Sequence, residues 1–531
     1  MLFSLKVHRS VYILALAIIV CSLPFSVFTT SVGVITLAVN FLLDGNWHYK
    51  INAFRRNKLL WIFLLIYLPV FFSFFYSSST SVAIKELRLW LPFIVIPTVV
   101  ALSNSLSGKE YRFVLVLFVL AVIVATIIGT IHYFAMSSAP AVDVRQISKF
   151  VSHIRFALMV NLAIAVLLHF VFNDTFFKWP HRVIMLIVAA WLVAFLFILQ
   201  SLTGIAMFFV LLGLGFIWTY IKIKNSVARF ALVSIGLSIL FVLISFITHR
   251  IDQYYTRTTV DYNNLPEFTV NGNAYTHDTA KLVYENGNLL YINICYSELK
   301  NEWERRSSLD IDGSDLKGQR LSQTLIRYLA SLGLTKDSVG VWKLSQSDIN
   351  SIEKGVASVV YKNGFGINAR IYQTLWEIDS YLTEGTIGNS SVVQRVVFAK
   401  AALFVIRNNF WFGVGSGDVL TSMNDYYLQE GVNLTDGFRF MPHNQYLTVW
   451  AGAGLFGFAI FLMALVLPFI LSKKFKQFLP VYFLLMIMVS MLNEDTFKTH
   501  IGVSFAAIFY SLFIFEFSFA NNINDPESPK D

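Results

Sequence analysis

The feature that limits this chain most is a series of apolar runs, each close to the length of a bilayer crossing. They fall at residues 11–29, 32–43, 59–76, 90–102, 113–134, 154–172, 183–199, 204–220 and 230–248, and again at 447–471, 478–491 and 501–519. A spanning helix needs about 20 apolar residues, because hydrocarbon offers no water to satisfy open backbone groups. The runs at 32–43 and 90–102 are short, so they need tilt, a kink or help from flanking residues. Composition agrees: 56% of the residues are hydrophobic and 14% are charged, whereas a soluble domain is about a quarter charged. The expected fold class is an all-α polytopic membrane protein with about twelve transmembrane helices, roughly nine before a long polar region and three after it. Lys6 and Arg9 ahead of the first run imitate a signal peptide. Many spans follow and no small-residue cleavage site is evident, so the run is read as the first span.

Orientation follows from where Lys and Arg sit in the short loops. One side holds Lys6, Arg9, Lys50, Arg55, Arg56, Lys58, Lys109, Arg112, Lys178, Arg182, Lys222, Lys224, Arg229, Lys473, Lys474 and Lys476. The other holds fewer: Lys85, Arg88, Arg145, Lys149, Arg155 and Lys498. The richer side is cytoplasmic, which puts both termini inside and the large loop outside. The expected divisions are 1–249 for the first set of spans, 250–442 for the large external region, 443–520 for the last spans and 521–531 for a disordered cytoplasmic tail. Cys21 and Cys295 lie far apart in different kinds of segment, which suits neither a disulfide framework nor a metal-type spacing.

The external region divides again. Residues 271–362 read as a small α/β unit. Within it, 288–296 (NLLYINICY) is rich in β-branched and aromatic residues and predicts a strand. Residues 323–332 and 345–355 predict helices, the second capped by Ser347 or Asp348. The part at 363–442 predicts a membrane-proximal helical segment. Val393, Val396, Val397, Ala401 and Phe404 recur at helical spacing, with Gln394, Arg395 and Lys400 off that stripe.

Polar chemistry gathers at 438–457, FRFMPHNQYLTVWAGAGLFG, where Arg439, His443 and Asn444 stand just before a membrane-length run. A neutral imidazole accepts a proton from a hydroxyl; Asn444 can orient it, and Pro442 restrains the backbone before it. Glu494 and Asp495 in the last external loop either orient that imidazole or form a solvated turn. Arg155, Arg370, Arg395, Arg407 and Arg439 fall on the same expected side. Singly, each reads as a headgroup anchor or as an ion-pair partner of Glu377, Asp379 or Asp418. As a set beside His443 they suit an anionic ligand, since the guanidinium fork gives paired charge-assisted bonds to phosphate. Two motifs carry less. GVGSG at 413–417 lacks the Lys-Ser/Thr of a nucleotide loop and reads as a tight turn after a helix. Asp310, Asp312 and Asp315 lack an EF-hand pattern and read as a polar turn.

The order Arg395, GVGSG, HNQYL and GLFG, with the many spans and the large loop before the last of them, resembles the O-antigen ligase family. Stretches 285–303 and 325–337 look like the version found in Bacteroidetes-type bacteria. The resemblance implies a GT-C-like inner-membrane glycosyltransferase with its site on the periplasmic side. It implies an undecaprenyl-diphosphate-linked glycan as donor, a lipid A–core sugar as acceptor, inversion at the transferred sugar, no metal, no cofactor and no nucleic acid. By the same resemblance His443 matches the family's essential histidine and Arg395 its outer-helix arginine, while Arg370, Arg155 and Arg439 are candidates for the diphosphate. One departure stands out: the family usually shows Ser-Arg-x-Gly at the outer start of a late span, and QSLTG at 200–204 puts Leu202 in that place. Arg155, at the mouth of the sixth run, either replaces the missing cation or anchors the helix at the interface. An O-antigen polymerase or a protein O-oligosaccharyltransferase would use the same donor. A transporter fits less well, because transporters commonly carry ionisable groups at mid-span and here they lie at the ends.

The orientation has a direct test. A cysteine introduced at Ser314 should react with a membrane-impermeant thiol reagent in intact spheroplasts; protection there would reverse the assignment.

Overall fold

The computed structural model describes residues 4–136, 147–362, 367–384, 387, 391–432 and 441–516. The tail at 521–531 and Arg439 lie outside the described residues. Every apolar run becomes a helix, but not every helix spans. Among the described residues seven are long and apolar enough: Leu5–Ser22, Gly108–Ala135, His153–Asn173, Trp179–Leu199, Leu202–Lys222, Ser226–Tyr255 and Gln445–Leu471. An eighth counts if Val27–Leu43 and Trp47–Arg56, bent by 111°, form one span. Gly45 and Asn46 make that bend, both at positive φ. By length and composition, seven or eight spans are marked among the described residues, and the expected twelve are not shown. The Pro92–Leu102, Phe478–Ser490 and His500–Ile514 helices are too short; the second of these has 13 residues and rises only about 20 Å. The Lys58–Phe74 stretch is interrupted by a tight turn at Leu65–Tyr67, just where Pro69 cannot donate to the preceding turn.

By packing, the chain forms two units: residues 1–131, 147–222 and 395–531 in one, and 132–146 with 223–394 in the other. In the first unit the His153–Asn173 and His500–Ile514 helices are buried along nearly their whole length. They are predominantly apolar around their circumference, as an interior helix is. Asn161, wholly buried, donates to the carbonyls of Ala157 and Gly204, and Gly204 lets the His153–Asn173 and Leu202–Lys222 helices touch: a Cβ there would lie 2.5 Å from that of Ala157.

The Gln445–Leu471 helix is broken at Gly454 (φ 67°, ψ −174°), a region that glycine alone enters readily. The 410–415 segment lies along the break. Val414 N–H donates to Ala451 O and Gly415 N–H to Gly452 O, each at 2.9 Å, while Leu455 N–H donates to Phe410 O. GVGSG is thus a turn after the Ser391–Asn408 helix, as expected, and it satisfies carbonyls that the break exposes. Asp418, just beyond, accepts from the backbone N–H groups of Ser78 and Ser79 at the start of the Thr80–Trp90 helix.

The second unit joins the long Ser226–Tyr255 helix, about 45 Å at 1.5 Å per residue, to a small module with its own core. Trp303, Leu299, Ile311, Leu325, Tyr328, Leu329 and Ile349 pack there with little or no exposure. The expected nine-residue strand is not formed. Tyr284–Glu285 pairs antiparallel with Asn288–Leu289, and further on Ile294 makes single bridges to Thr276 and Lys336. Asn286, Gly287 and Asn293 all take positive φ, which turns the chain before a ladder can extend. The module is therefore chiefly helical. Leu321–Ser331 and Gln346–Glu353 fall where helices are expected, but the cap of the second is Ser345, in a reciprocal capping box with Asp348. The three aspartates form a polar turn, as expected: Asp310 accepts from Asp312 N–H, Asp312 meets Tyr296 and Lys300, and Asp315 accepts from Lys317, Gln319 and Thr324. Arg327 stacks 3.7 Å over Trp376 and donates to Glu285, which also accepts from Tyr372. This joins the module to the Ile367–Glu384 helix.

Gly454→Ala should lower the melting temperature of the solubilised protein markedly, because the new Cβ would lie 2.2 Å from Trp411 O and the backbone strain alone costs about 1–3 kcal/mol. Gly213→Ala, where a Cβ meets nothing within 4 Å, should be neutral or stabilising in the same measurement.

Candidate functional site

His443 is one of few residues other than glycine at positive φ (51°) among the described residues. A left-handed position is conformationally costly for a residue that carries a side chain. What fixes it is a buried acceptor. His443 N–H donates to Asp495 Oδ2 at 2.9 Å, and Thr448 Oγ1 donates to Asp495 Oδ1. Asn444 caps the Gln445–Leu471 helix by accepting from Leu447 N–H at 3.1 Å, and its Nδ2 donates to Leu492 O at 3.0 Å. Gln445 N–H donates to Met491 O, and its Oε1 accepts from Phe497 N–H at 2.8 Å. The stretch 491–497 is thus pinned against the start of this helix by both backbone and side chains.

The imidazole of His443 faces a second carboxylate. Its Nδ1 lies 3.7 Å from Glu494 Oε2, and its ring centroid lies 6.0 Å from that of Phe398. The other oxygen, Glu494 Oε1, is 3.3 Å from Arg155, which also donates to Asp495 O at 3.0 Å. His443 keeps about a third of its side-chain surface exposed, whereas Glu494 and Arg155 keep a tenth each. Burial pushes the Glu494 carboxyl up, but the neighbouring His443 ring and the charges of Arg155 and Arg395 outweigh it and hold it below the usual range. Asp495 goes the other way: burial raises it more than Thr448 and Lys498 lower it.

The structure thus brings Arg155, His443, Asn444, Glu494 and Asp495 together, and the charge of Arg395 reaches the same cluster. Sequence periodicity misplaced Arg395. In the Ser391–Asn408 helix the packed residues are Val393, Val397, Phe398, Ala401, Ala402, Val405 and Ile406, while Val396 is exposed and Phe404 half-buried. Arg395 is half-buried and lies seven and eleven residues before Ala402 and Ile406, on the packed face and not off it. Arg407 is exposed. Arg370 belongs to the other unit, where it donates to Gln373, which in turn donates to Glu377. Leu202 opens its helix, 39% exposed, and the neighbouring Thr203 accepts from Asn493. Thr448 and Gln445 escaped the sequence reading. Their partners lie about fifty residues on, so no local spacing announces them.

The Glu494 geometry predicts a pH signature. A depressed folded pKa contributes stability that is present above the unfolded value, about 4.3, and is lost as pH falls through the folded one. Glu494→Gln should therefore cost about 1–3 kcal/mol at pH 7, read as a melting-temperature difference that closes on acidification below about pH 4.

Residues 355–462 match the family described as O-Antigen ligase. No curated protein matches the chain. The matched span includes Arg370, Arg395, GVGSG, His443 and Asn444 and stops short of Glu494 and Asp495.

Proposed function

Since this chain is a multi-pass membrane protein that carries the O-antigen ligase domain, we propose that it moves a glycan from undecaprenyl diphosphate to a lipid A–core acceptor sugar at the periplasmic face of the inner membrane. The family covers O-antigen ligases, polymerases and related lipid-linked glycan transferases. The observation that carries the reading is the His443 imidazole, held between a fixed backbone and the buried Glu494 carboxylate within the field of Arg155 and Arg395.

In this reading the acceptor hydroxyl loses its proton to His443 as its oxygen attacks the anomeric carbon. The bond from that carbon to the diphosphate oxygen breaks, and the electron pair leaves with the diphosphate. Attack opposite the leaving group inverts the centre. Glu494 stabilises the imidazolium that forms, as a carboxylate partner does for a catalytic histidine. Arg395 faces the leaving charge, and its contribution is electrostatic. Arg155 holds the carboxylate loop through one terminal nitrogen. Its buried Nε, without a hydrogen-bond partner among the described residues, is the group we assign to the diphosphate in place of the arginine missing at Leu202. Arg370 and Arg439 remain candidates for the same anion. Both termini are cytoplasmic in this arrangement.

A deletion strain should show, on lipopolysaccharide gels, core without attached glycan and accumulation of carrier-linked polymer. Short attached chains would indicate a polymerase, and unchanged lipopolysaccharide with lost protein glycosylation a protein transferase. In that strain His443→Ala should insert normally and fail to restore transfer, a loss of roughly 10²–10⁴-fold. Arg395→Lys should be nearly as inactive as Arg395→Ala, because lysine lacks the planar fork; full activity with lysine would reduce Arg395 to diffuse charge.

A further inference from the structure

Beside the loop that carries Glu494 and Asp495 is a small cavity of about 30 Å³, larger than the roughly 10–15 Å³ that one water needs. Its lining includes Glu86, Trp90, Ser416, Gln445, Thr448 and Lys498. Three of these carry a buried polar atom with no hydrogen-bond partner among the described residues: Trp90 Nε1, Gln445 Nε2 and Ser416 Oγ. Trp90 is 2% exposed and Gln445 not at all. The direction of the Gln445 amide is set, because its Oε1 already accepts from Phe497 N–H; the NH2 is therefore the end left over. Two buried N–H donors and a hydroxyl around a space of this size need an acceptor, since unpaired buried donors are rare and costly.

The same cavity is edged by an ion pair, Lys498 Nζ to Glu86 Oε1 at 2.9 Å, with both side chains largely buried. Lys498 N–H donates to Asp495 O, and the Lys498 charge acts on the Asp495 carboxyl. Thr448, also in the lining, donates to Asp495 Oδ1. The cavity is thus one side chain away from the carboxylate that holds His443.

We infer that this cavity is a water site, with one or two waters accepting from Trp90 Nε1 and Gln445 Nε2, and that Glu86 and Lys498 are positioning residues that act through Asp495 on His443. Water is the ligand that fits. It accepts from both nitrogens and still donates to the Glu86 carboxylate or exchanges hydrogen bonds with Ser416. A metal cation finds donors where it needs acceptors. An anion meets Glu86. The fixed loop then has supports on two sides, Arg155 on one and the hydrated Glu86–Lys498 pair on the other. The effect on rate rests on the transfer reading; the water site does not.

The experiment is a density map of the full-length protein in nanodiscs at a resolution that shows other buried waters, together with transfer kinetics of Lys498 variants. A peak at hydrogen-bond distance from both Trp90 Nε1 and Gln445 Nε2 is expected. No density there overturns the water site. Lys498→Met should lower kcat by about 10- to 100-fold, the scale of a small misplacement, with KM for the lipid-linked donor unchanged, and Lys498→Arg should recover most of it. Full kcat in a folded, inserted Lys498→Met protein, or a change confined to KM, overturns the positioning role. If Lys498→Met does not fold, Glu86→Gln, which keeps shape and removes the charge, replaces it with the same expectation. A wild-type protein that transfers no lipid-linked glycan would refute the proposed function and leave the density result standing.

Discussion

Asp495 is a buried carboxylate with two oxygens and a backbone carbonyl all in use. One oxygen accepts from His443 N–H, the other from Thr448, and the carbonyl accepts from Arg155 and from Lys498 N–H. Burying a charge there is unfavourable, which is why its pKa rises. The charge is retained because it holds a histidine in the left-handed region, which a residue with a side chain enters only at a cost. Remove that acceptor and nothing in the local sequence keeps the imidazole facing Glu494. The order of dependence runs from Asp495 to the His443 backbone, then to the ring, then to its carboxylate partner.

The second requirement is that the Gln445–Leu471 helix begins in the right place. It is broken at Gly454, and the GVGSG turn fills the break with backbone hydrogen bonds instead of side chains. That turn follows the Ser391–Asn408 helix directly, so the helix that bears Arg395 and the helix that begins beside His443 are joined through one glycine-lined contact. Asp418 extends the joint to the Thr80–Trp90 helix, and from there Glu86 reaches Lys498. Polar groups that look scattered along the chain therefore converge on one loop of the first unit.

Much of this was legible in sequence, and the limits have physical reasons. Apolar runs located the helices, because hydrophobicity over a membrane-length window is a local property. They do not settle the number of spans, because a run gives no sign of whether a short helix such as Phe478–Ser490 crosses or only packs inside the bundle. The pattern HN before an apolar run pointed to His443, and the cap role of Asn444 follows from its residue type. The stripe on the Ser391–Asn408 helix was drawn one row off, which put Arg395 on the wrong face; two adjacent rows at four-residue spacing make a wider packed face than one. The strand at 288–296 failed because its β-formers are interrupted by Asn293 in a left-handed turn. Glu494 and Asp495 stood out as carboxylates able to orient the imidazole, with a solvated turn as the alternative; what no local pattern could show is that Asp495 takes the His443 backbone N–H while Glu494 faces the ring, or the choice of Thr448 as the second donor to Asp495.

The proposed transfer depends on Asp495, which places the His443 that takes the acceptor proton. It is tested most directly by purified Asp495→Ala protein in proteoliposomes with a lipid-linked glycan donor and a lipid A–core acceptor. Donor binding should stay close to wild type while the transfer rate falls by about 100-fold, the scale expected when a reacting group is misplaced. Transfer at the wild-type rate with the side chain gone would contradict it.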